Sequence, residues 1–136
     1  MIGRIVLAVV ACSQFTNANA QDIDTKLLTQ EASKNMAQEY VTCAAFYAVG
    51  ARCFAGDKDP SDREHMQRAA VLAMRRAAEY ADKVGINLKD TIESYRFEFN
   101  GMAEKINTDC QKLEILISEH GERCKLLMSH STTNLN

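Results

Sequence analysis

The chain has 136 residues, enough for one domain of ordinary size. Its 16 basic and 18 acidic residues leave a net charge of −2, which is not the cationic footprint of a nucleic-acid binder. A single proline and no tryptophan favour helices with few breakers, and five cysteines call for an explanation of their own.

Residues 1–20 read as a signal peptide. Arg4 supplies the positive start, Ile5 to Ala11 the apolar core, and Ala18, Asn19, Ala20 a small-x-small cleavage site. The apolar core is too short for a spanning helix, which needs about 20 residues. Loss of Arg4 with the leader makes the mature chain, 21–136, still more acidic. A competing reading takes "VVAC" (Val9 to Cys12) as a lipoprotein box, with Cys12 lipidated and the protein held on a membrane. Under either reading Cys12 drops out of the count. Cys43, Cys53, Cys110 and Cys124 remain, an even number that in an exported chain predicts two disulfides in an oxidising compartment. The "ANA-QD" junction and the lack of an Asn-x-Ser/Thr sequon lean towards a bacterial periplasm or secretion.

The first helix is predicted over 24–54. Met36, Tyr40, Cys43, Tyr47, Gly50 and Phe54 recur in steps of four and three, beside a stripe of small residues: Ala37, Val41, Ala44, Ala48, Ala51. Two adjacent stripes and an uncharged middle imply neighbours on several sides. On such a helix Cys43 and Cys53 lie about 15 Å apart, at about 1.5 Å per residue. A disulfide needs Cα atoms within about 7 Å, so these two cannot bond to each other.

"AGDKDPSDRE" then breaks the pattern: Gly56 ends the helix, and Ser61 with Glu64 offers a capping box for the next. That second helix, 61–84, is expected to bury Met66, Ala70, Ala73, Ala77 and Val84. It should pair Glu64 with Arg68, Arg75 with Glu79 and Glu79 with Lys83. Its arginines (Arg63, Arg68, Arg75, Arg76) offer an anion-binding face, but neutralisation by Glu64 and Glu79 favours a salt-bridged solvent face. Gly85 is the expected left-handed C′ residue, with Ile86 as its hydrophobic clasp.

A third helix opens at Asn87 and carries Leu88, Ile92, Tyr95, Phe99, Met102 and Ile106 on one face. The same phase runs on through Cys110, Leu113, Ile117, His120, Cys124 and Leu127, so one helix of about forty residues satisfies it. Yet "NTDCQ" supplies a fresh start, with Thr108 as N-cap and Gln111 three residues on. The tail, 131–136, has nothing to bury and is expected to fray.

Heights along the helices choose between these options. The second helix descends from the level of Cys53, and a third of equal length returns Cys110 to it. If the chain turns there and descends again, Cys124 falls near Cys43, with an excess of four residues, about 6 Å. The bridges are then Cys53–Cys110 and Cys43–Cys124, and the fold an all-α, up-down-up-down four-helix bundle. The alternative, a three-helix arrangement with one long C-terminal helix, carries Cys124 about 20 Å past any partner.

Site chemistry is sparse. His120 and Cys124 share a helical face near His130, but C-x9-C and C-x13-C are not zinc spacings; no metal is expected, and His120 reads as half-buried beside a disulfide. There is no C-x-x-C-H, phosphate loop or nucleophile elbow, and no cofactor is expected. Glu93, Glu98, Glu104, Glu119 and Glu122 read as solvated carboxylates, lacking the Glu-x-x-His element of di-iron bundles. The aromatic exception is Phe97, which points about 160° away from each of Tyr95 and Phe99 around the helix. It is either a surface anchor or a contact to a neighbouring helix, and the breadth of the bundle favours the contact.

The expected function is that of a small exported helical protein, not an enzyme, which binds another exported or envelope protein as inhibitors and immunity proteins do. Its candidate surface is Arg96, Phe97 and Asn100, or the Gly56–Asp62 loop. The alternative is an envelope-structural lipoprotein anchored through Cys12. A homodimer through the Leu88–Leu127 stripe is also compatible with the pattern.

Overall fold

Twelve uncharged residues, Tyr40 to Ala51, form the middle of a helix that the rest of the chain surrounds. The computed structural model describes residues 18–56 and 60–133, with side chains from 25–56 and 60–130. The leader up to residue 17, with Cys12, and the end of the tail, 134–136, lie outside the described residues. All regular structure among those residues is helical: α1 (Ala18–Cys53), α2 (Pro60–Asp82), α3 (Leu88–Lys105) and a composite fourth rod. That rod runs as a 3₁₀ turn (Cys110–Lys112), α4 (Leu113–Leu116), a π turn (Ile117–Gly121) and α5 (Glu122–Thr133). The helices form the expected bundle, with α1 at its centre.

From Tyr40 to Ala51 no side chain of α1 is exposed, and Ala44 and Ala45 are wholly enclosed. α2 presents Ala73, Ala77 and Ala81 on its buried side, all at 0–1% exposure. Alanine has little side-chain bulk or rotamer entropy to lose, so this seam lets the two helices approach closely. Gly50 belongs to the same seam, since a Cβ there would sit 3.4 Å from the Met66 sulfur. Met102 of α3 and Ile106 just beyond its end, with Leu113 and Leu116 of α4, complete the core.

Both disulfides join the predicted partners. Cys43–Cys124 has a Cα–Cα distance of 5.3 Å and Cys53–Cys110 one of 5.2 Å. Cys110 sits in the 3₁₀ turn that opens the fourth rod. Two such bridges belong to an oxidising, non-cytoplasmic compartment. Among the described residues no helix is long and apolar enough to cross a membrane.

Local signals hold in part. Asn87 caps α3, its side-chain oxygen accepting from the Asp90 N–H at 2.9 Å. Gly85 adopts φ 75°, and the Ile86 N–H donates to the Ala81 carbonyl at 3.0 Å, the Schellman closure expected for α2. A Cβ at Gly85 would touch nothing within 4 Å, so Gly85→Ala is penalised by backbone conformation alone. Thermal or urea unfolding should register a loss of about 1 kcal/mol; an unchanged midpoint would mean that the turn does not hold this geometry in solution.

Four expectations need correction. α2 begins at Pro60, placing Ser61 inside the helix rather than at its cap; proline suits the first helical position, where no N–H is required. Thr108 is not the N-cap either. It and Asn107 take left-handed φ values of 54° and 51°, whereas a cap needs extended geometry, which Asp109 supplies while accepting from the Gln111 N–H. Leu88 is 60% exposed, and Thr91 is buried in its place. A straight helix drifts about 20° per heptad from a 3.5-residue stripe; two heptads back from Met102 the stripe has left the core, whereas Thr91, eleven residues back, has not. Lastly, Leu116 is wholly buried while Ile117 is 48% exposed. The π turn takes in one residue more than an α turn, so that residues eight apart, 116 and 124, share a face.

Candidate functional site

Two surfaces carry side chains that the core leaves unused. The first is the outer side of α3. Gln38 of α1 donates to the Glu98 carboxylate at 3.0 Å and accepts from the Ser94 hydroxyl at 3.1 Å. Inside, Tyr95 and Phe99 lie 6.0 Å apart, and the Arg52 guanidinium covers Phe99 at 5.5 Å. These contacts fix the rotation of α3 and turn Phe97 outward, where it is 79% exposed. Arg96 and Asn100 are exposed beside it. The expectation that Phe97 packs on a neighbouring helix is therefore corrected: the buried side of α3 is already filled by Tyr95, Phe99 and Met102. Of the alternative loop, Gly56 and the start of α2 are exposed, and 57–59 lie outside the described residues.

The second surface is a cleft of about 360 Å³ between α2 and α5. Tyr47 of α1 forms its floor with Leu72 and Met128, while Arg68 and His65 line one wall and Lys125 the other. Tyr47 is 9% exposed and packs its ring 5.2 Å from that of Phe46. Its hydroxyl makes no hydrogen bond among the described residues and is not enclosed, so it opens to the cleft; burial of the side chain raises the phenol above its ordinary pKa, so it stays an O–H donor.

Two of the three pairs predicted for α2, those of Glu79, do not form as the spacing suggested. Glu79 takes Arg76 at 2.8 Å, three residues away, instead of Arg75. Lys83 sits 4.3 Å above the Tyr80 ring instead of reaching Glu79. Arg76 is largely covered by the bundle, which holds it against Glu79, and Arg75 on the open side makes no ion pair among the described residues. The predicted Glu64–Arg68 pair does form, at 3.5 Å. Lys125 has no carboxylate partner among the described residues. Sequence reasoning missed this cleft because its walls come from helices more than fifty residues apart.

The remaining candidates are placed as follows. His120 is half-buried with its ring 6.2 Å from Phe46, four residues before the bridged Cys124. Glu119 is held by Lys105 at 2.6 Å, and Glu39 pairs with Arg123, so both carboxylates serve to pin the fourth rod. The four cysteines are consumed by disulfides. Among the described residues no three His, Cys, Asp or Glu side chains gather as a metal site. A wider groove of about 550 Å³ lies between Leu27, Leu28 and the α2–α3 turn at Val84 and Ile86.

No protein-family model, curated protein or solved structure matches the chain. Function is to be read from these surfaces.

Proposed function

We infer that this is an exported binding protein of the periplasm or the secreted space, which docks on another exported or envelope protein through the outer side of α3. The observation that carries this reading is Phe97, 79% exposed in the middle of a helix whose rotation is locked by Gln38. A large aromatic ring in water forgoes the stabilisation of burial, about 2–3 kcal/mol. Aromatic and arginine side chains are also the usual anchors of protein interfaces. Arg96 and Asn100 supply the polar rim, and the rigid helix removes the entropy cost that a loop would add on binding. The role is that of an inhibitor or immunity protein: the disulfides keep the surface in shape, and occupation of the partner is the activity.

Photo-crosslinking tests this. A benzophenone side chain at position 97, expressed in the exporting cell, should yield one discrete adduct, and the same group at exposed Glu114 should not. Phe97→Ala should leave the unfolding midpoint unchanged within about 0.5 kcal/mol and weaken capture of that partner at least about tenfold, the size of a single anchor. A smear of adducts equal at both positions, or none, sinks the reading.

A further inference from the structure

We propose that the cleft between α2 and α5 is a binding site for small anionic amphiphiles, of the fatty-acid or aromatic-carboxylate class. The acidic head would sit between Arg68 and Lys125, and the apolar body on Tyr47, Leu72 and Met128. Three independent features converge there.

The walls are cationic and come from two different helices. Lys125 has no carboxylate partner among the described residues, and Arg68 keeps only a contact at 3.5 Å with Glu64, both side chains more than half exposed. Such a surface pair is weak and easily exchanged for another anion. On a chain of net charge −2, opposed cations across an apolar floor form a local exception that complements a negative head group. Arginine also offers a planar fork suited to a carboxylate, while lysine acts as a point charge.

The floor holds a hydroxyl open to the cleft. The body of Tyr47 is buried and lines the cleft, while its hydroxyl makes no hydrogen bond among the described residues and is not enclosed. Burial keeps the phenol protonated, so it can donate to a carboxylate oxygen and cannot repel it. Ala69, Leu72 and Met128 supply the apolar part of the lining, and Met128 is a side chain that adapts to ligands of varied shape.

Size selects the occupant. A volume of about 360 Å³ falls at the small end of ligand pockets, roughly 300–1,000 Å³. The α2 wall spans His65 to Leu72, about 10 Å at 1.5 Å per residue. Two helical turns give too short a seat for an amphipathic peptide helix, which needs anchors over i, i+3, i+4 and i+7 on its own length. They suit an acyl chain or a fused aromatic. The site is open to solvent along one side.

The test uses the purified protein with both disulfides formed, titrated with 1-anilinonaphthalene-8-sulfonate and followed by fluorescence. Saturable 1:1 binding is expected, with displacement by laurate in the micromolar range. Dodecanol, which lacks the charge, and acetate, which lacks the body, should each compete at least about tenfold less well. Lys125→Glu and Arg68→Glu should each weaken binding at least about tenfold. Tyr47→Phe should weaken it about threefold to tenfold, the range for one hydrogen bond. Both charge reversals alter exposed side chains, so an unchanged circular dichroism melt verifies the fold, and amide shifts under laurate should cluster at 65–72 and 125–129. Absence of saturable binding overturns the proposal, as does equal affinity for dodecanol or binding indifferent to Lys125→Glu. Shifts centred on the Leu27–Val84 groove overturn it too, as does light scattering that finds a dimer abolished by Lys125→Glu, because the cleft would then hold a second copy.

Discussion

Replacing Cys43 and Cys124 together by alanine lowers stability more than replacing Cys53 and Cys110, although the two bridges close loops of similar size. With sequence separations of 81 and 57, the chain-entropy account assigns about 4.5 and about 4.2 kcal/mol, a negligible difference. Burial breaks the tie. Cys43 and Cys124 are each 1% exposed and lie within the core, whereas Cys53 is half-buried and Cys110 is exposed. Deleting the inner pair also removes two buried sulfurs and leaves a void, which adds about 1–2 kcal/mol. Against a typical domain stability of about 5–15 kcal/mol, that loss brings the chain close to unfolding, while the outer deletion leaves a folded protein with a lower midpoint. Urea unfolding of the two double variants measures the gap. Access orders the chemistry in the same way, because exchange requires a thiolate to reach a sulfur. Brief exposure to dithiothreitol followed by alkylation should label Cys53 and Cys110 while Cys43 and Cys124 remain bonded. Simultaneous labelling of all four, or an equal cost for the two deletions, would mean that the inner bridge is not enclosed in solution.

How much of this was legible beforehand depends on the range of the interaction. The paired stripes of α1, the Asn87 cap and the Gly85 turn are written in residues within a few positions of one another, and all three are found. The bridges were legible because helix rise is nearly constant, so counting residues from Cys53 fixes which cysteine comes level with it. Where helical periodicity itself changes, that arithmetic fails. Leu88 leaves the core through slow drift, and the π turn at Ile117–Gly121 resets the face of the fourth rod, with no local residue announcing it. The two ion pairs predicted for Glu79 failed for a different reason. Glu79 has arginines at i−4 and i−3, and only the burial of Arg76 against the bundle, a tertiary fact, decides between them. The α2–α5 cleft depends on that same tertiary placement. Phe97 is intermediate: helical phase gave its direction, but not whether another helix lay in that direction.

The reset in the fourth rod has a consequence of several kcal/mol at two adjacent residues. Under plain helical phase Ile117 lies in the core and Leu116 beside it at the edge, so truncating Ile117 would be the costly change. With the π turn the order inverts. Leu116 is at 0% exposure among Leu113, Cys124 and the α1 core, and Ile117 is about half exposed. Leu116→Ala should therefore lower stability by about 3 kcal/mol, within the 2–5 kcal/mol typical of enclosed leucines. Ile117→Ala should cost about 1 kcal/mol or less, since it removes partly solvated methyl groups and leaves no closed cavity. The comparison is internal, because both variants are single truncations to alanine on the same rod, and both retain Cys124 in its bridge. Equal losses would mean that the fourth rod exchanges between two registers, and a larger loss at Ile117 would restore the uninterrupted helix and remove the π turn from the fold. The inverted order also bears on the α2–α5 cleft. The rotation that buries Leu116 and Cys124 is the one that carries Lys125 and Met128, one and four residues further on, to the side facing α2.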